Sequence, residues 1–115
     1  MSSIKSTVIQ ITKNGMGNAD KFLQHKLIKS YLKLLIESEE LPDVITFYTE
    51  GVKLTVDGSP VLEELQTLSD KGVLLFICST CLNYYGIADK VRVGLQSHMP
   101  DILAVQQKAD KVITL

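Results

Sequence analysis

The sequence is poor in the residues that characterise several common classes of protein. It has two cysteines, three prolines and no tryptophan among 115 residues, which argues against a disulfide-rich scaffold or a proline-rich disordered segment. Its formal net charge is −1, so it has no general attraction to nucleic acid or to an anionic membrane. No apolar run approaches the roughly 18 residues of a membrane span. We therefore expect neither nucleic acid nor a membrane among its partners.

The length and composition are those of one globular domain. A chain of 115 residues with 45% hydrophobic and 22% charged residues can bury a single core, which predicts one domain over residues 1–115. The first residues lack the long apolar segment of a signal peptide. We therefore expect a cytoplasmic protein, in which thiols stay reduced.

Apolar segments of strand length alternate with segments of helical periodicity. This alternation predicts βαβ units, right-handed crossovers and an α/β fold with a mainly parallel sheet covered on both faces. In the first helix we expect the buried positions to include Leu23, Leu27, Tyr31, Leu34 and Leu35. The predicted strands are 7–12, 44–48, 73–77, a weak fourth strand over 90–94, and 112–115. The predicted helices cover about 20–37, about 59–71, and a segment from Ser97 or Asp101 to about Lys108.

Both cysteines lie in one short motif, Cys78-Ser79-Thr80-Cys81, at the end of the predicted strand 73–77. Parallel α/β sheets keep their chemistry at the carboxyl ends of their strands. Cys78 directly follows apolar residues, which fits either a small core residue or a chemical role. Cys81 lies beyond the strand, where a helix amino terminus would lower the pKa of its thiol. Cys81 is therefore the candidate nucleophile and Cys78 its candidate helper.

Three loops are predicted to meet around this motif, because the loops after successive parallel strands lie at one edge of the sheet. They are 13–18, 49–52 and 78–82. The glycine-rich first loop fits either an anion-docking turn or a flexible connection. A tyrosine after the motif fits a shield for the thiol, an oligomer contact or simple packing on the sheet. The residues predicted to shape the pocket are Asn14, Gly15, Met16, Gly17, Gly51 and Tyr84.

Other uses of the two cysteines are less well supported by their surroundings. A structural zinc site requires about four ligands, and the sequence has no second cysteine pair. A thioredoxin-like dithiol fits the spacing, but there the pair follows an early strand and an aromatic residue precedes it, whereas here Ile77 does. A Cys-His pair would need His25 or His98, which lie far away in the sequence. We therefore expect no metal and no cofactor.

Several separated motifs together resemble a known family. The motifs are Phe47-Tyr48-x-x-Gly51-Val-Lys-Leu54, Gly58-Ser-Pro-Val-Leu-Glu63, Cys78-x-Thr-Cys81-Leu-x-Tyr-Tyr-Gly86 and Ala109-Asp-Lys-Val-Ile113. In order and spacing they are similar to the carboxyl-terminal domain of YedF-type selenium-metabolism proteins, which belongs to the DsrE/DsrF-like superfamily of sulfur-relay proteins.

The resemblance implies a three-layer α/β/α domain with about five strands in its sheet. It also implies a cytoplasmic homo-oligomer, a trimer or a hexamer, that exchanges sulfur with a donor or acceptor protein such as a TusA-like carrier. Cys81 occupies the position that holds a persulfide in this family, and Cys78 would resolve or stabilise it. The resulting hypothesis is a sulfurtransferase-like carrier of sulfur, or of selenium. The alternative is a non-catalytic oligomeric module of the same fold that binds a small molecule or a partner protein.

Overall fold

The structure, a computed structural model, describes residues 6–115, which contain a five-stranded parallel sheet. The sheet order is β4-β3-β2-β1-β5, and every neighbouring pair of strands is parallel. The strands are β1 (Thr7–Ile11), β2 (Val44–Phe47), β3 (Leu74–Cys78), β4 (Leu95–Ser97) and β5 (Lys111–Thr114). The α-helices are α1 (Lys21–Ser38), α2 (Leu62–Asp70), α3 (Ser79–Tyr84) and α4 (Met99–Lys108). Two 3₁₀ helices cover Thr49–Thr55 and Ala88–Lys90.

The helices cover both faces of the sheet and confirm the three-layer α/β/α prediction. Helices α1 and α2 connect strands that follow one another in the sheet, so right-handed crossovers place both on one face. They contact each other through Lys29, whose Nζ lies 3.2 Å from Oε2 of Glu64. Helix α4 connects β4 at one edge with β5 at the other and lies on the opposite face, where Gln106 donates a hydrogen bond to Gln10 of β1. Within residues 6–115, no helix is long and apolar enough to span a membrane.

The main core lies between the sheet and the pair α1 and α2. Side chains alternate between the two faces of a strand, and every second residue of the three central strands points into this core. Two rows cross the sheet in register and are almost completely buried: Ile9, Ile45 and Leu75, then Ile11, Phe47 and Ile77.

The predicted buried face of α1 was wrong for three of its four leucines. The buried residues of α1 are Ile28 and Leu32, whereas Leu23 and Leu27 are each 42% exposed and Leu34 is 62% exposed. Tyr31 and Leu35 of the same prediction are partly buried against the core. Apolar residues occur on more than one side of this helix, so periodicity alone does not identify the face that meets the sheet.

The predicted fourth strand was also placed wrongly. The segment 90–94 is not a strand; within it Val91 forms an isolated antiparallel bridge with Val56. At Gly94 the backbone has a φ of +95°, a conformation that interrupts an extended strand and favours glycine. The strand that pairs with β3 therefore begins only after the predicted segment, at Leu95.

Candidate functional site

The ends of β1 and β2 meet closely at the carboxyl edge of the sheet. The backbone N–H of Tyr48 donates to the carbonyl oxygen of Ile11 over 3.2 Å. A Cβ atom on Gly51 would overlap that same carbonyl group, so glycine is required here for close backbone approach rather than for an unusual φ. This contact holds the start of the 3₁₀ helix Thr49–Thr55 at the edge of the sheet, where that helix contacts β3 and α3.

The two cysteines lie in different environments. Cys78 is the last residue of β3, immediately precedes α3 and is only 2% exposed. Cys81 lies in the first turn of α3, is half-buried and packs partly against the core. Both thiols are free. The helix amino terminus considered at Cys81 belongs to α3, which begins two residues earlier, at Ser79.

A backbone amide of the neighbouring loop points at the Cys81 sulfur. The N–H of Thr49 donates to Sγ of Cys81, with nitrogen and sulfur 3.1 Å apart. Thr49 has a φ of +55°, which is a strained conformation for a β-branched residue and costs roughly 1–3 kcal/mol. Strain of this kind clusters at functional sites. The sequence carried no signal for it, because neither glycine nor asparagine marks the position.

Burial opposes ionisation of the candidate nucleophile. Burial raises the pKa of the Cys81 thiol, the hydrogen bond with Cys78 raises it further, and the Thr49 N–H lowers it. The expectation that a helix amino terminus would leave Cys81 with a lowered pKa was therefore wrong. Helix α3 has only six residues, and the macrodipole of so short a helix is weak compared with desolvation.

A cleft of about 380 Å³ opens beside the cysteine motif. Its lining includes Asn14 from the first loop, Lys21 and His25 from α1, Lys53 from the 3₁₀ helix, and Tyr85 from the end of α3. Cys81 is not one of the lining residues. Cys81 precedes the lining residue Tyr85 by one helical turn, since the N–H of Tyr85 donates to the Cys81 carbonyl oxygen over 3.1 Å.

The residues predicted to shape the pocket are distributed differently. Asn14 lines the cleft, whereas residues 15–17 pack against Gln24 of α1 through backbone contacts and hydrogen bonds. Tyr84 is 83% exposed and does not line the cleft; its neighbour Tyr85 does. The sequence predicted an aromatic residue after the motif but did not determine which of the two adjacent tyrosines faces the cleft.

Within residues 6–115, neither histidine forms a hydrogen bond with a cysteine. Nε2 of His25 is 3.4 Å from Oδ1 of Asn14, and His98 precedes α4, where its backbone N–H donates to Oδ2 of Asp101. Among residues 6–115 there is no group of three or more histidine, cysteine, aspartate or glutamate side chains that could hold a metal ion.

Comparison with known proteins identifies a family and two similar folds. The sequence model that describes the DsrE/DsrF-like family matches residues 5–115 of this chain. The crystal structure of the YchN protein from E. coli is similar with a TM-score of 0.70 and 20% identity, over 96% of this chain and 99% of that one. MTH1491 from Methanobacterium thermoautotrophicum, described as a protein of unknown function, also has a TM-score of 0.70, with 21% identity over the same shares. No curated protein matches. At such identities the two structures establish the fold.

Proposed function

Because this chain belongs to the DsrE/DsrF-like family, we propose that it is a sulfur-handling protein in which Cys81 carries sulfur as a persulfide. The observation that carries this proposal is the strained Thr49 backbone, whose N–H is held against the Cys81 sulfur. A hydrogen bond to the sulfur favours its anionic form. The same amide would hold the sulfur in position during attack, because its direction is fixed by the contact between β1 and β2.

The proposed reaction is a balanced exchange of sulfane sulfur. The Cys81 thiolate attacks the terminal sulfur of a donor persulfide, R–S–SH. A new bond forms between Sγ and that sulfur, the S–S bond of the donor breaks, and R–S⁻ leaves and takes up the proton lost by Cys81. An acceptor thiolate then attacks the same terminal sulfur and regenerates Cys81. Neither step requires an oxidant, a reductant or a metal ion.

The family resemblance supports further proposals about partners and setting. Cys78, whose thiol contributes to the raised pKa of Cys81, would stabilise or resolve the persulfide. A TusA-like carrier would donate or accept sulfur. Because the chain resembles YedF-type selenium-metabolism proteins, we extend the proposal to selenium as the atom carried on Cys81. A cytoplasmic location would keep both thiols reduced.

We also propose that the chain assembles into a trimer or a hexamer. Three leucines of α1, at positions 23, 27 and 34, are substantially exposed. A second copy of the chain would remove this apolar surface from water, at roughly 25 cal/mol per Å².

The second candidate function is the non-catalytic module that binds a small molecule or a partner protein. The raised pKa of Cys81, caused mainly by burial, favours it, because a protonated thiol is a poor nucleophile. Titration of the native protein with a thiol reagent separates the two candidates. Modification of Cys81 before unfolding supports the sulfur carrier, and two thiols that react only after unfolding support the module.

The direct test of the carrier is intact-mass analysis after exposure to a persulfide donor. Wild type is expected to gain the mass of one sulfur atom and to lose it on addition of a reducing thiol. Cys81→Ser should gain none, whereas Cys78→Ser should still gain it. An unmodified wild type, or an equal gain on Cys81→Ser, would reject the role of Cys81.

A further inference from the structure

The cleft beside the cysteine motif carries an excess of positive charge at its mouth. Lys21 and Lys53 both line it. Lys53 is paired with Glu50, whose Oε1 lies 3.3 Å from its Nζ, whereas Lys21 forms no salt bridge within residues 6–115. The acidic lining residue Asp57 is paired with Arg92, whose Nη1 lies 2.7 Å from Oδ1 of the carboxylate. Its charge is therefore largely balanced, while that of Lys21 is not.

His25 adds a hydrogen-bonding group to this cleft rather than a third charge. Burial lowers the pKa of His25, and the nearby Lys21 ammonium lowers it further. The imidazole is therefore mainly neutral at neutral pH. Its Nε2 lies 3.4 Å from Oδ1 of Asn14, and because an amide oxygen only accepts, the one ring N–H donates there. The groups of this cleft that can donate to a small anion are the ammonium groups of Lys21 and Lys53 and the amide NH₂ of Asn14.

The cleft is connected to Cys81 through Tyr85. The ring of Tyr85 lines the cleft and lies under Lys53, whose Nζ is 4.4 Å from the ring centroid. Its hydroxyl group donates to Oε2 of Glu50, next to Thr49. Tyr85 follows Cys81 by about one helical turn, a rise of roughly 5 Å between their backbones, so the cleft adjoins the turn that carries Cys81.

We propose that this cleft binds the carboxylate of a small persulfide donor, of the size of cysteine persulfide or glutathione persulfide, and presents its terminal sulfur to Cys81. The inference rests on the proposed persulfide function and adds the class of donor to it. A volume of about 380 Å³ suits a small molecule, since ligand pockets cover about 300–1,000 Å³. In the transfer step, the donor's S–S bond breaks, its thiolate leaves with the proton from Cys81, and the carboxylate stays bound to Lys21 and Lys53.

Binding is tested separately from sulfur transfer, in the Cys81→Ser protein, which lacks the thiol proposed to accept sulfur. Isothermal titration with S-methylglutathione, which has the carboxylates but no sulfane sulfur, should show binding that weakens as salt is added. Adding Lys21→Met and Lys53→Met should weaken it about tenfold. The matched control is Lys33→Met, an exposed lysine of α1 that does not line the cleft, and it should leave binding unchanged. Absence of binding, or equal weakening by the control, would overturn the cleft assignment.

The link to sulfur transfer is tested with two donors on a protein that retains Cys81. Glutathione persulfide should load wild type about tenfold faster than the neutral persulfide of 2-mercaptoethanol. The Lys21→Met/Lys53→Met variant should lose this preference, whereas the control Lys33→Met should keep it. Equal loading of wild type by both donors would reject the cleft proposal and leave the persulfide function intact. No loading by either donor would reject the persulfide function, and with it the donor assignment, whatever the titration shows.

Discussion

Thr49 is the residue in which backbone strain and the candidate site coincide. Its φ of +55° is unfavourable for a β-branched side chain but is tolerated by asparagine. We expect Thr49→Asn to raise the free energy of unfolding by about 1 kcal/mol while retaining the N–H that contacts Cys81. Urea denaturation measures this. The control Thr67→Asn, within α2, should not stabilise; a Thr49→Asn protein less stable than wild type would contradict the assignment of strain.

Cys81 shows how its surroundings control the reactivity of a thiol. Since burial and the hydrogen bond with Cys78 raise its pKa, only a small fraction is thiolate at neutral pH. The rate of alkylation by iodoacetamide should therefore rise about tenfold per pH unit up to a pKa above that of an ordinary thiol. In Cys78→Ala the profile should shift toward lower pH, because a cause of the raised pKa is removed. A rate that is already constant above about pH 7 would contradict this account.

At the residue scale, the sequence predicted the difference between the two cysteines but not the source of the contact to Cys81. Cys78 follows an apolar strand, so its burial could be expected from hydrophobic pattern alone. The amide of Thr49 depends on how the chain leaves β2 and on the close approach of Gly51 to Ile11. Those are tertiary contacts, and no local propensity encodes them.

Helix α1 shows why the existence of an element is easier to predict than the face it buries. Leu32 is completely buried and Leu34, two residues later, is 62% exposed. Leu32→Ala should cost roughly 2–5 kcal/mol through lost burial and a cavity, whereas Leu34→Ala should cost less than about 0.5 kcal/mol. Denaturation at protein concentrations low enough to keep a single chain measures both. Equal losses would place Leu34 in the core and contradict the fold.

The strands differ in predictability for a physical reason. Strands β1, β2 and β3 form the centre of the sheet and are rich in apolar residues, so their pattern is distinct. Strand β4 has three residues, two of them exposed, at one edge. Its position is set by pairing with β3 and by the turn at Gly94, neither of which its own residues reveal.

At the scale of the whole molecule, exposed apolar side chains support the proposed assembly. If copies associate through the leucines of α1, the double variant Leu27→Glu/Leu34→Glu should be a monomer, because each charge would be buried without a partner. Size-exclusion chromatography with light scattering should show several chains for wild type and one for this variant. The control Lys33→Glu alters charge at an exposed position of the same helix and should remain assembled. A monomeric wild type would contradict the proposal.

The candidate site combines segments that are far apart in the sequence, and only some of their contacts could be predicted. Parallel strands bring their carboxyl ends to one edge whatever their detailed packing, so the meeting of residues 49–52 with the cysteine motif followed from topology. The cleft also requires Lys21 and His25, which α1 supplies from its first two turns. Their contribution depends on how α1 sits over the loops, which the sequence pattern does not specify.

The most direct test of the central claim is the location of sulfur within the loaded protein. After exposure to a persulfide donor and alkylation, tandem mass spectrometry of the peptide that contains both cysteines should place the extra sulfur atom on Cys81. Cys78, which is 2% exposed, should carry only a single sulfur. An extra sulfur found on Cys78, or a peptide without any, would contradict the account of Cys81 as the carrier.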